Sequence, residues 1–141
     1  FGSLKTGWQS INGNWYYFNP QSEGNKAQGF MKTSWFYNNG NWYYFYSDGT
    51  MATGFIDLNE AYYYLDESNT SNIGIMKSGW QKINGYWYYF NTINDDGVAG
   101  MMRKGWQKIN GVWYYFNYSD GKMASNTWVD GYYVNGSGAL E

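Results

Sequence analysis

Apolar positions along this 141-residue chain recur in short paired bursts and show no helical stripe. Four times a Trp is followed seven residues later by a second Trp that opens the string Trp-Tyr-Tyr-Phe: Trp8 and Trp15, Trp35 and Trp42, Trp80 and Trp87, Trp106 and Trp113. Between the members of each pair sits Asn-Gly, at Asn12-Gly13, Asn39-Gly40, Asn84-Gly85 and Asn110-Gly111. This dipeptide tolerates positive φ at both central positions, as the tightest two-residue hairpin turns require. Each burst is therefore predicted to be one β-hairpin. With Asn12-Gly13 as the turn, Ile11 pairs with Asn14, Ser10 with Trp15, Gln9 with Tyr16 and Trp8 with Tyr17. Side chains alternate along a strand, so Trp8, Trp15 and Tyr17 share one face while Tyr16 and Phe18 occupy the other. An isolated hairpin cannot bury two aromatic faces. Hairpins that recur every 20 to 27 residues can do so by stacking, each covering its neighbour.

The expected fold class is all-β, a β-hairpin solenoid, with residues 1–141 forming a single repeat domain of about six units. In the third unit Phe55 and Tyr62 hold the two Trp places and Asn59-Glu60 replaces Asn-Gly. In the sixth, Trp128 to Tyr133 leaves room only for short strands around Asp130-Gly131, which suits a terminal cap. Each hairpin leads into a polar loop ending in Met: Met31, Met51, Met76, Met102 and Met123. The loops vary in length, and the stretch from Pro20 to Phe30 is long. Residues 1–8 read as the tail of a preceding unit, with Leu4 in the Met place and the chain cut from a longer protein. Leu140-Glu141 reads as an appended scar.

Composition narrows the function. Aromatics make up 24% of the chain and charged residues 14%, with 19 Gly, a usage that suits strands and turns and excludes a helical or disordered chain. A net charge of −2 gives no basic surface for nucleic acid. The sequence has no Cys and no His, so a disulfide scaffold, a thiol nucleophile, the usual general base and most transition-metal ligands are all lacking. Most of the eleven carboxylates stand in turns such as Asp48-Gly49 and Asp120-Gly121, where Asp serves turn geometry. These features argue for a non-enzyme with neither metal nor cofactor. No apolar run is long enough to span a bilayer.

Side-chain parity identifies candidate binding residues. The groove between consecutive hairpins receives two Trp from one hairpin and the first Tyr of Trp-Tyr-Tyr from the next. Tyr17, Phe18 and their equivalents serve as core filler. The paired Trp residues ask for more, because Leu, Ile or Val would fill a core equally well. Flat, electron-rich walls attract a quaternary ammonium through cation–π contacts. A sugar platform would need more polar partners for the hydroxyls than these grooves supply.

The strings Gly7-Trp8-Gln9, Asn14-Trp15-Tyr16-Tyr17-Phe18, Met76-Lys77-Ser78-Gly79-Trp80, Gly105-Trp106-Gln107-Lys108-Ile109-Asn110-Gly111 and Trp113-Tyr114-Tyr115-Phe116 closely resemble choline-binding repeats, the cell-wall-binding modules of bacterial and phage hydrolases and surface proteins. The resemblance covers nearly the whole chain. It implies a left-handed superhelix of hairpins that cages choline between two Trp of one unit, the first Tyr of the next and a nearby Met. It also implies a secreted, wall- or surface-associated protein whose partner is choline-bearing teichoic or lipoteichoic acid. Carried onto this chain, the first cage is Trp8, Trp15, Tyr43 and Met31, and the second Trp35, Trp42, Tyr63 and Met51. The fourth is Trp80, Trp87, Tyr114 and Met102, and the fifth Trp106, Trp113, Tyr132 and Met123. The third departs from the pattern, with Phe55 and Tyr62 beside Tyr88 and Met76, and is expected to be weak or empty. Glucan-binding repeats and the carbohydrate-binding repeats of clostridial toxins use related aromatic hairpins, which leaves a glycan-binding domain as the alternative. Exposed hairpin edges also leave room for a homodimer.

Overall fold

The structure, a computed structural model, describes residues 4–21 and 28–141. The expected tail at residues 1–3 and the middle of the Pro20 to Phe30 loop lie outside them. Among the described residues twelve strands pair in sequence order into six two-stranded antiparallel hairpins. They are β1 (Gly7–Ile11) with β2 (Asn14–Phe18), β3 (Ser34–Asn38) with β4 (Asn41–Phe45), β5 (Gly54–Leu58) with β6 (Ala61–Leu65), β7 (Gly79–Ile83) with β8 (Tyr86–Phe90), β9 (Gly105–Ile109) with β10 (Val112–Phe116), and β11 (Thr127–Val129) with β12 (Tyr132–Val134). The register follows from the turns: Trp8 faces Tyr17 and Ser10 faces Trp15, as the two-residue loop dictates. Asn12 and Gly13 have φ of 53° and 82°, the left-handed pair this turn demands. The third hairpin reaches the same geometry with Asn59 at 55° and Glu60 at 69°. Glutamate is a poor residue there, and the Asp57 carboxylate supports it by accepting the Glu60 amide hydrogen bond at 2.7 Å.

After each hairpin the loop returns to add one residue to its edge. Met31 bridges Phe18, Met51 bridges Phe45, Met76 bridges Leu65, Met102 bridges Phe90 and Met123 bridges Phe116, all antiparallel. Leu140 completes the series by bridging Val134.

The chain forms two compact units, one of residues 1–56 and 64–76, the other of residues 57–63 and 77–141. In the first, Trp8 lies against Tyr43 and Phe45 of the following hairpin, with centroids 4.9 and 5.9 Å away. Tyr17 packs on Phe36 at 4.4 Å, and Phe45 and Leu65 are completely buried. The second repeats this plan: Trp80 lies 4.8 Å from Tyr114 and 5.7 Å from Phe116, over a core of Tyr89, Ile109 and Phe116. The last residue of the second strand in the second to fifth hairpins, Phe45, Leu65, Phe90 and Phe116, is completely buried and is the filler that the stack needs. Within each unit one hairpin's aromatic face is covered by the next, as parity required.

The long connection from Asn91 to Arg103 is held by a polar knot. Asp95 accepts hydrogen bonds from the Tyr89 hydroxyl at 2.7 Å, the Thr92 amide at 2.8 Å and the Thr92 hydroxyl at 2.9 Å, and pairs with Arg103 at 3.2 Å. These donors, the Thr92 amide first, hold the Asp95 carboxyl below the ordinary aspartate range.

Candidate functional site

Among the described residues three aromatic cavities share one plan, each wholly within one unit. In the first unit Trp8, Trp15, Tyr43 and Met51 line a cavity of about 200 Å³, rimmed by Thr70, Ser71 and Ile73. In the second unit Trp80, Trp87, Tyr114 and Met123 line one of about 430 Å³, rimmed by Gly136 and Ser137. Trp106, Trp113, Tyr132 and Leu140 line a third of about 290 Å³.

Strand geometry sets the ring angles. Trp8 and Trp15 sit two positions apart across the hairpin on one face, which brings their centroids to 6.4 Å with planes at 80°. Trp80 and Trp87 meet at 6.2 Å and 84°, and Tyr114 stands at 72° to Trp80. Two walls and a back at near right angles leave a concave, ring-faced pocket open to solvent on one side. The second Trp of the pair is the exposed wall, with Trp87 at 40% and Trp113 at 42% exposure, whereas Tyr43 is buried. Burial pushes the Tyr43 phenol above its ordinary pKa. The last cavity is shallower at its back: Tyr132 is 58% exposed because β11 and β12 have only three residues each. It also has a charged partner, since the Trp106 indole N–H donates to the Asp130 carboxylate at 3.0 Å.

The three cavities bring together the Trp and Tyr residues of the first, fourth and fifth expected cages, each with a different fourth residue from the expected Met. Met31 does not join Trp8 and Trp15; Met51 does. Met102 gives way to Met123 beside Trp80 and Trp87, and Met123 to Leu140 beside Trp106 and Trp113. Met51 likewise is not left for the second cage. The cause is the bridge at the end of each loop, which makes the Met part of the hairpin it follows, so it looks back with that hairpin's Tyr. Its amide then donates to the carbonyl of the preceding hairpin's second aromatic residue: Met51 to Trp15, Met76 to Trp42, Met102 to Tyr62, Met123 to Trp87 and Leu140 to Trp113, at 2.8 to 2.9 Å. Met31 packs its thioether over Gly49, as Met51 does over Gly74 and Met123 over Gly138, where any Cβ would overlap the sulfur. Leu140, read from sequence as lying outside the repeat, is a cavity wall. The rim residues Thr70, Ser71, Ile73 and Ser137 were not foreseen either, because they lie on loops one or two units downstream.

Trp35 and Trp42 form the same right-angled pair in the first unit, at 6.3 Å and 88°, while Tyr63 lies in the second unit and is buried. Of the degenerate set, Phe55 packs edge-on to Tyr64 at 4.8 Å in the first unit, to which Met76 also belongs. Tyr62 and Tyr88 belong to the second. Among the described residues no cluster of His, Cys, Asp or Glu could hold a metal ion, and no helix is long and apolar enough to cross a membrane.

A family model described as choline-binding repeat matches residues 77–128, and one described as putative cell wall binding repeat matches residues 6–21 and 33–51. Together they cover more than half of the chain. Among solved structures, CbpJ from Streptococcus pneumoniae TIGR4 is 35% identical over 97% of this chain and 48% of its own, with a TM-score of 0.66. Choline binding protein F from Streptococcus pneumoniae is 36% identical over 97% of this chain and 57% of its own, with a TM-score of 0.42. The modular autolysin LytC from Streptococcus pneumoniae is 26% identical over 96% of this chain and 37% of its own, with a TM-score of 0.41. The chain thus spans about half or less of the length of these relatives. No curated protein matches it. The hairpin spacing, the recurring aromatic cavities and both family matches agree: this chain is a choline-binding module and belongs to the choline-binding repeat family.

Proposed function

We propose that each of the three cavities holds the trimethylammonium of a choline, and that together they anchor a larger parent protein, without catalysis of their own, to choline-bearing teichoic or lipoteichoic acid on the outside of a bacterial wall. One observation carries the reading. Three ring faces at near right angles converge on a space of about 200 to 430 Å³ whose fourth wall is a thioether or an aliphatic chain. Ring faces present negative potential, and a quaternary ammonium is large, weakly hydrated and without N–H donors. Its attraction to each face is worth roughly 2 kcal/mol once desolvated. Several such contacts, less the cost of association, give individually weak sites in the millimolar range or somewhat tighter. Weak sites repeated on one scaffold against a polymer that repeats choline gain avidity of roughly two to four powers of ten.

The test is retention on choline-decorated walls or a choline-bearing resin. The intact protein is expected to be retained and to elute with free choline. Replacing Trp106 and Trp113 by Ala, then Trp80 and Trp87 as well, is expected to lower retention in growing steps. Retention that persists in saturating choline, or survives loss of both cavities, would refute the proposal.

A further inference from the structure

Tyr62 holds the place taken by Trp15, Trp87 and Trp113 in the three cavities, since its carbonyl receives the Met102 amide as theirs receive Met51, Met123 and Leu140. Its ring is covered differently. The Lys104 ammonium stands 4.0 Å from the Tyr62 ring centroid, the separation at which a bound quaternary nitrogen would sit. Comparing the repeats sharpens this observation. The residue two past the loop methionine is Thr33, Thr53, Ser78 and Ser125 in the other units, and Lys104 in the one whose methionine amide meets Tyr62. A Thr or Ser is short and uncharged, so it cannot place a cation on that ring. Tyr62, Met102 and Lys104 share a cavity of about 740 Å³ with the carboxylates of Glu60, Asp95 and Asp96 and the cations Arg103 and Lys108. Asp95 is already paired with Arg103, so Lys104 is not drawn there by an unbalanced negative charge.

We propose that Lys104 is a tethered cation that occupies the Tyr62 face in place of choline, making this position a self-filled member of the series. The inference rests on the choline reading for what Lys104 excludes, but the Lys104 to Tyr62 contact stands without it. An ammonium on its own backbone competes at an effective concentration on the order of millimolar or more. Choline of comparable affinity therefore binds the Tyr62 face more weakly than it binds the open cavities, and leaves Lys104 in place at concentrations that just fill them. The substitution of Trp by Tyr and of Thr or Ser by Lys therefore form one change.

The test is NMR of the intact chain with 13C-labelled lysine and tyrosine and 15N-labelled tryptophan. Ring current from Tyr62 is expected to place the Lys104 ε-methylene protons upfield of those of Lys108, and Tyr62→Leu is expected to abolish the difference. Choline at the concentration that just saturates the Trp8, Trp80 and Trp106 indole signals should leave Tyr62 unmoved. In Lys104→Gln, choline should move Tyr62 as well. An unshifted Lys104, a shift that survives Tyr62→Leu, or a Tyr62 that ignores choline in Lys104→Gln while the indoles respond would each overturn the inference. Indoles that ignore choline throughout would overturn the proposed function instead, and would leave the Tyr62-dependent Lys104 shift standing.

Discussion

Replacing Trp87 by Leu separates binding from folding more cleanly than any other single change. Trp87 is 40% exposed and pairs across the hairpin with Lys82, so its ring is a cavity wall and not part of the filler. Leucine keeps an apolar side chain there and should cost about 1 kcal/mol of stability or less. The lost ring face is one of three around the cation. A half-exposed contact is worth less than a fully desolvated one, so a loss of about 1 to 1.5 kcal/mol is expected, and 1.4 kcal/mol is tenfold in Kd. The assay is a choline titration read at the Trp80 indole, whose ring meets Trp87 at 6.2 Å. Affinity there should fall roughly tenfold, while the Trp8 and Trp106 signals titrate as before. A Trp80 titration unchanged within a factor of two would mean that the right-angled pair is scaffold. Phe90→Ala is the control: Phe90 is completely buried, and its loss should cost about 3 to 5 kcal/mol and weaken every property together.

Met51→Ala should weaken choline at Trp8 and Trp15 severalfold, whereas Met31→Ala should leave that site unchanged; the two indole titrations distinguish them. Asp130→Asn should weaken the Trp106 site and flatten its dependence on salt, because the carboxylate at the indole N–H supplies a field that ions screen, as titrations at low and high ionic strength would show. Asp95 titrates below the ordinary aspartate range when folded. Its contribution is complete above the unfolded aspartate pKa, about 3.9, and is lost as pH falls through the lower folded value. Thermal melts should accordingly show acid destabilisation that Asp95→Asn diminishes.

How much of this was legible in the sequence depended on the range of the interactions. The hairpins, their register and the Trp8 and Trp15 pair follow from Asn-Gly turns and period-two alternation, which act within a dozen residues, whereas Tyr43 joins them only through the stacking of the next hairpin. The stacking followed too, because a hairpin aromatic on both faces has no other way to bury Tyr17 and Phe45. Chain order places Met31 between the first two hairpins and so suggests it for the first cage, whereas the Phe18 to Met31 bridge binds it to the hairpin it follows and Met51 lines that cavity. Leu140 stands six residues after Val134, as Met51 stands six after Phe45, but the other loops are longer, from seven to thirteen residues, so spacing alone does not place it in the series. The rims of Thr70, Ser71 and Ser137 depend on where loops of unequal length fold back, which no local pattern specifies. Lys104 escaped notice because a lone lysine in a loop has no periodic partner; only its alignment with Thr53 and Ser125 sets it apart.

The central claim is that charge on the ligand, and not shape alone, is read by the ring faces. Titrating the protein with choline and with 3,3-dimethyl-1-butanol, its uncharged carbon analogue of nearly the same shape, tests this directly at the indole signals of Trp8, Trp15, Trp80, Trp87, Trp106 and Trp113. Choline is expected to move all six, and the neutral analogue to bind at least about tenfold more weakly, a difference of about 1.4 kcal/mol, which one or two cation–π contacts supply. Equal affinities for the two would contradict it.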